Sequence, residues 1–148
     1  MRFHFWNISF SLFFILLSTL GLVWLSGAGK LVAWIPVSDF VLMALAIFRL
    51  IRLVSYDTIT AFLRDGLSQY HSTTFLGTLG VLVNCPWCTG LWFAFLIAFF
   101  YFATPLTWYV ILVLALAAVA SLLQLTSNLI GWSAEVKKRE AQNLSLPR

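Results

Sequence analysis

The two cysteines of this chain stand together in Cys85-Pro86-Trp87-Cys88, the spacing of redox-active dithiols and of half a zinc site. A thiol at the start of a helix faces unpaired backbone N–H groups and the positive end of the aligned peptide dipoles, which stabilises a thiolate. Pro86 favours such a start, because the first helical residue has no use for an amide hydrogen. Zinc asks for about four ligands, and one chain offers Cys85, Cys88 and His71, so a metal site would be intramolecular or shared between two copies, a four-cysteine site requiring two; otherwise no cofactor is expected. Against the metal and redox readings stands a structural one, in which the motif serves only to break a helix.

A second group lies upstream, where Arg49 and Arg52 are separated by about one helical turn and Asp57 follows. Guanidinium groups at the end of an apolar helix ordinarily snorkel toward headgroups and set orientation. The sharper alternative turns one of them inward, to pair with Asp57 or with the polar break at Asn84, because an unpaired charge in low dielectric is costly. Asn84, Thr89 and Gly90 border the break, and unwound backbone faces the ligand in many carriers. Asp39 reads as an interfacial carboxylate, with Lys30 as its alternative partner. His4 and His71 read as solvated interface residues. No seryl, carboxylate or phosphate-loop motif of enzymatic type occurs, so catalysis is not the expected work of the chain.

The elements that must position these groups are apolar helices. Of 148 residues, 61% are hydrophobic and 9% charged, more apolar surface than a soluble chain of this size can hide. Nine Lys or Arg against five Asp or Glu give a net charge of +4, too little and too dispersed for a nucleic-acid footprint. Basic residues beside apolar runs read instead as topology signals and as contacts to anionic lipid. The fold class is therefore all-α: a polytopic membrane bundle of four transmembrane helices, at about residues 8–25, 36–54, 86–103 and 108–132. Residues 1–132 form one transmembrane domain and residues 133–148 a polar cytoplasmic tail with one or two further turns of helix. Cleavage of the first segment near residues 26–28, as a signal peptide, is the alternative to its retention.

Several features punctuate the runs. A continuous helix over residues 75–103 would reach about 43 Å, far more than the hydrocarbon, so Pro86 must interrupt it. Residues 75–83 then form a short re-entrant or interfacial segment. Residues 56–70 place Tyr56, Ile59, Phe62 or Leu63, Leu67 and Tyr70 at helical spacing, the pattern of a surface amphipathic helix. Pro36 opens the second helix, with Ser38 or Asp39 as a possible cap. An uncharged turn around Pro105 makes the last two helices an antiparallel hairpin. Ala115, Ala117, Ala118, Ala120 and Ser121 give the last one a small-residue face for close packing, and Gln124, Thr126, Ser127 and Asn128 are expected to face protein rather than lipid. With four crossings, Arg2, Arg49, Arg52, Arg64 and Lys137-Lys138-Arg139 share one side, which the positive-inside rule makes the cytoplasm for both termini.

The paired motifs, Phe48-Arg49-Leu50-Ile51-Arg52-Leu53 with Tyr56-Asp57-Thr58-Ile59 and then Cys85-Pro86-Trp87-Cys88-Thr89-Gly90-Leu91-Trp92, resemble a family of small bacterial and phage membrane proteins of unknown function, some Bacillus members of which are described as sporulation proteins. The resemblance covers roughly residues 39–125 and implies a place in the bacterial cytoplasmic membrane. It points at Arg49, Arg52, Asp57, Cys85, Pro86, Trp87, Cys88 and Gly90 as shared positions, and it implies no activity. The leading expectation is a noncatalytic accessory subunit in lipid that packs against its own copy or a larger membrane complex. A cytoplasmic-face thiol or metal site is the second reading, and a phage-type pore former or small transporter the third.

Overall fold

The computed structural model describes residues 2–32, 34–70 and 74–145. Six α-helices follow one another: α1 (Arg2–Gly27), α2 (Val37–Ser55), α3 (Ala61–Ser68), α4 (Phe75–Asn84), α5 (Pro86–Ala103) and α6 (Thr107–Ser145), with a 3-10 turn at Thr58–Thr60. No strand occurs among the described residues. Three helices are long and apolar enough to cross a membrane, over Phe5–Gly27, Pro86–Ala103 and Thr107–Gln142. The 19-residue α2 is set apart by Asp39, Arg49 and Arg52.

Helix α2 is the centre of the molecule. It packs most extensively against α6 and next against α5, whereas α5 and α6 touch each other little. The expected α5–α6 hairpin is thus opened by a third helix. Met43 and Ala46 of α2 meet Ile97 of α5 and Ile111 of α6 in the buried core. Ala46 and Ala118 are 0% exposed and Ala115 is 1% exposed. Between apolar helices in lipid, attraction comes from close contact rather than from expelling water, so methyl-sized side chains at the crossing are what bring the backbones together.

The end of the bundle near the Pro105 turn is tied by two polar contacts. Tyr101 donates to Asp39 Oδ2 at 2.6 Å, and Lys30 Nζ donates to the Ala103 carbonyl oxygen at 2.6 Å. Lys30 also lies 5.4 Å from the Trp24 ring. Asp39 and Lys30 therefore take separate partners, because α5 ends between them and its last carbonyls attract the cation. Neither Ser38 nor Asp39 caps α2; Pro36 occupies the N-cap position without a side-chain hydrogen bond.

Helix α1 lies against α5 and α4 through aromatic edges, with Phe14 at 5.0 Å from Trp92 and Phe10 at 5.4 Å from Phe75. The interruption falls where proline requires it. Helix α4 stops at Asn84, Cys85 is non-helical, and Pro86 is the first residue of α5.

Two stretches differ from expectation. Residues 56–70 are not one amphipathic helix: a 3-10 turn precedes the eight-residue α3, whose buried apolar residue is Leu67. Tyr56, Ile59, Phe62 and Tyr70 remain exposed. The interruption has a physical reason, since Thr60 and Arg64 turn back onto the end of α2. At the other extreme, α6 runs to Ser145 rather than stopping a turn or two past Trp132. The segment is rich in Ala, Glu, Lys and Gln, has no proline before Pro147, and carries an Arg139–Glu135 pair at 3.2 Å one turn apart.

Helices α3 and α4 approach closely at Gly80, where an added Cβ would lie 3.0 Å from the Leu67 carbonyl oxygen. Replacing Gly80 by Val should force the two helices apart and cost about 1–3 kcal/mol, read as a lower thermal midpoint in detergent. Gly131→Ala, with nothing within 4 Å, should leave the midpoint unchanged or raise it.

Candidate functional site

A helix that stops leaves its last carbonyls without intrahelical donors, and here α2 and α4 stop beside each other. At the end of α2, the Arg52 carbonyl oxygen accepts from the amides of both Tyr56 and Asp57 at 2.9 Å. The Thr60 hydroxyl lies within hydrogen-bond reach of the carbonyls of Leu53, Val54 and Asp57. Arg64 Nη1 donates to the carbonyls of Val54 and Asp57 and to Thr60 Oγ1, each at 2.9 Å. Charge-assisted donors of this kind are about twice as strong as neutral ones.

The end of α4 is closed in the same manner. Ser55 Oγ donates across to the Val83 carbonyl at 2.9 Å, which joins the two helix ends directly. Asn84 Nδ2 donates to the Gly80 carbonyl at 2.9 Å, and the Thr89 hydroxyl donates to the Cys85 carbonyl at 2.6 Å. Further along, an added Cβ at Gly90 would lie 3.1 Å from Ile51 Cδ1. Glycine at this position lets α5 ride close on α2, so the two sequence motifs become neighbours in space.

Arg49 pairs with Asp57 at 2.8 Å, their side chains 22% and 26% exposed. Of the partners open to an inward arginine, the structure selects Asp57, and Asn84 is occupied by its own helix. Asp57 is held at every polar atom group: its carboxylate by Arg49, its amide by the Arg52 carbonyl, its own carbonyl by Arg64. Arg52 takes a different course, its guanidinium 5.7 Å from the Tyr56 ring centre.

Cys85 is the N-cap of α5, and the Cys88 amide donates to its Sγ at 3.3 Å. Hydrogen bonding from the Cys88 thiol, and then from the Cys88 amide, holds the Cys85 thiol below its usual range. Both cysteines are free, Cys85 half-buried and Cys88 exposed. Cys85 opens onto a groove beside Tyr70 and Asn84, whereas Cys88 borders another that contains Asn7, Ser11 and Thr78. No group of three metal-ligating side chains occurs among the described residues. His71, the third ligand considered from sequence, lies outside them. Trp87 is 90% exposed and joins neither cluster.

Sequence reasoning missed Ser55, Thr60 and Arg64, the residues that close the cluster. Thr60 and Arg64 are four apart, the spacing that places side chains on one helical face, but nothing local says that this face meets the end of the preceding helix.

A family model described as "Protein of unknown function (DUF1360)" matches residues 66–127, a span that includes Cys85 and Cys88. The chain is 36% identical over 101 residues to "Sporulation protein YjcA" of Bacillus subtilis (strain 168), covering 57% of this chain and 86% of that protein. It is 29% identical over 97 residues to "UPF0713 protein YngL" of the same organism, covering 57% of this chain and 75% of that one. No solved structure matches the chain.

Arg64→Ala would leave the Val54 and Asp57 carbonyls without their charged donor. It should lower the stability of the detergent-solubilised protein by about 1–3 kcal/mol, with Arg64→Lys recovering part of the loss. Unfolding midpoints of the three proteins check this.

Proposed function

The chain belongs to the DUF1360 family of bacterial proteins of unknown function, and from that premise we propose that it is a noncatalytic accessory protein of the bacterial cytoplasmic membrane, built to pack against a second copy or a larger membrane complex. In this reading α1, α2, α5 and α6 are four crossings and both termini are cytoplasmic. The support for the orientation is the distribution of basic residues. The support for α2 as a crossing is that its two arginines stand at the end where Asp57 and aromatic Tyr56 receive them, while its middle is the buried core.

The observation that carries the packing role is the surface of α6. Beyond Leu125 this helix leaves the bundle, and Gln124, Thr126, Ser127 and Asn128 are all exposed within its apolar span. Gln124 satisfies part of its need on Asn128 at 3.2 Å, and Thr126 bonds its own helix. Amides facing lipid are unfavourable, and a neighbouring helix relieves them at about 1–2 kcal/mol per contact at most. In gentle detergent the full chain should therefore run as an assembly, and Ser127→Leu with Asn128→Leu should reduce the assembled fraction roughly tenfold. Chemical crosslinking that returns only monomer from intact membranes would reject the reading.

A second reading rests on the contact between the Cys88 amide and Cys85 Sγ, which is the geometry of a stabilised thiolate at a helix start. Cys85 and Cys88 then act as a cytoplasmic-face dithiol or, with the same pair from a second copy, as a four-sulfur zinc site. Alkylation of Cys85 should rise with pH through a midpoint below that of an ordinary thiol, since a lowered pKa leaves more thiolate at neutral pH. Cys88→Ala, which removes the donor thiol, should move the midpoint upward. An ordinary midpoint, together with no zinc in the purified wild-type protein, would eliminate this reading.

A further inference from the structure

A groove of about 510 Å³ separates the end of α2 from α6, and its walls carry Arg49, Arg52 and Asp57 on one side and Ala120, Ser121 and Gln124 on the other. The charges do not cancel. Arg49 is neutralised by Asp57 at 2.8 Å, whereas Arg52 has no carboxylate within ion-pair distance among the described residues. Its one aromatic contact, with Tyr56, leaves the donor edge of the guanidinium without an anionic acceptor. The groove therefore presents one net positive charge.

Depth and lining both constrain what fills it. Gln124 lies about 26 Å along α6 from Thr107 at a rise of 1.5 Å per residue, near the edge of a hydrocarbon layer about 30 Å thick, with Ser121 about one turn deeper. Any occupant at that level meets oil on one side and headgroups on the other. Gln124 uses one amide hydrogen on Asn128 and has a second to donate. Ser121 donates to the Ala117 carbonyl at 2.8 Å, which leaves its oxygen as an acceptor. Asp57 engages Arg49 through Oδ2, so Oδ1 is also open to a hydroxyl.

The geometry points to a binding site in this groove for the phosphodiester headgroup of an anionic, hydroxyl-bearing phospholipid. Phosphate oxygens lie on Arg52 and the Gln124 amide, and the headgroup hydroxyls donate to Ser121 Oγ and Asp57 Oδ1. A planar guanidinium with several N–H donors suits a phosphate oxyanion better than an ammonium does. The acyl chains leave the groove along the exposed apolar surface of α6. This inference rests on the membrane reading above, with the end of α2 at the cytoplasmic interface, but not on the assembly of α6 with a partner.

The test uses the full chain in nanodiscs of mixed phosphatidylglycerol and phosphatidylcholine, released for native mass spectrometry. Wild-type protein should retain phosphatidylglycerol about fivefold over phosphatidylcholine, the preference one basic residue at a membrane surface confers. Arg52→Gln should bring the ratio to about one. Ala120→Leu, which fills the groove without altering charge, should do the same, so a folding failure of the arginine variant does not remove the test. Trp87→Ala, an exposed uncharged position outside the groove, should keep the wild-type ratio. Equal retention of both lipids by wild-type protein, or an unchanged ratio in Ala120→Leu, overturns the site while leaving the membrane reading intact. Displacement of the lipid by millimolar inorganic phosphate would mark a site for free phosphate and overturn the lipid assignment. A chain that stays soluble and lipid-free without detergent overturns both.

Discussion

Carbonyl oxygens at the ends of helices need donors, and away from water those donors must come from the chain itself. Helices α2 and α4 end side by side, and the polar side chains between them are arranged by that requirement. Ser55 reaches from one helix end to the other, Thr60 and Arg64 fold back over α2, and Asn84 and Thr89 close the α4–α5 break. The Arg49–Asp57 pair belongs to the same cluster, because the turn that brings Thr60 and Arg64 back also delivers Asp57 to Arg49. Removing Ser55 takes from the Val83 carbonyl the donor that the other helix end supplies, whereas the Val54 and Asp57 carbonyls each have two donors, Thr60 and Arg64.

From this cluster the architecture follows outward. With its end anchored, α2 stands between α5 and α6 and makes the core with residues as small as Ala46, Ala115 and Ala118. Its charged residues lie at its two ends, Asp39 held by Tyr101 and Arg49 held by Asp57. A helix so equipped is poorly suited to face lipid all round, and the bundle surrounds it instead. The cost of a polar central helix is offset by giving each of its charged groups a partner except Arg52, and that exception is where the proposed lipid site lies.

The surface of the molecule is unfinished in a specific way. Apolar exposure along α1 and α5 suits lipid, but the amides of α6 beyond Ser121 do not. The dithiol at the start of α5 adds a reactive possibility on the same side as the polar cluster, coupled to it through Val83 and the Cys85 carbonyl. The surfaces proposed for packing, lipid recognition and thiol chemistry thus occupy neighbouring but separable parts of one end of the bundle.

Much of the helix inventory was legible in the linear chain, because run length, apolarity and proline chemistry are local properties. The stop before Pro86 needed only the missing amide hydrogen, and the small-residue face of α6 needed only helical spacing. Where α6 ends was misjudged, since polar residues beyond Trp132 read as tail although their helix propensity is high. The site was legible as a set of residues and not as an arrangement: Arg49, Asp57 and Cys85 stood out by type, whereas Thr60, Arg64 and Ser55 did not. The sequence by itself determined where the apolar helices lie and that a helix must break before Pro86, for those depend on each residue's own backbone and its near neighbours. Only the tertiary structure decided that α2 parts α5 from α6, that Arg49 takes Asp57 while Arg52 is left over, and that two helix ends share their donors, because a hydrogen bond's partner is chosen by which groups the whole fold brings within about 3 Å.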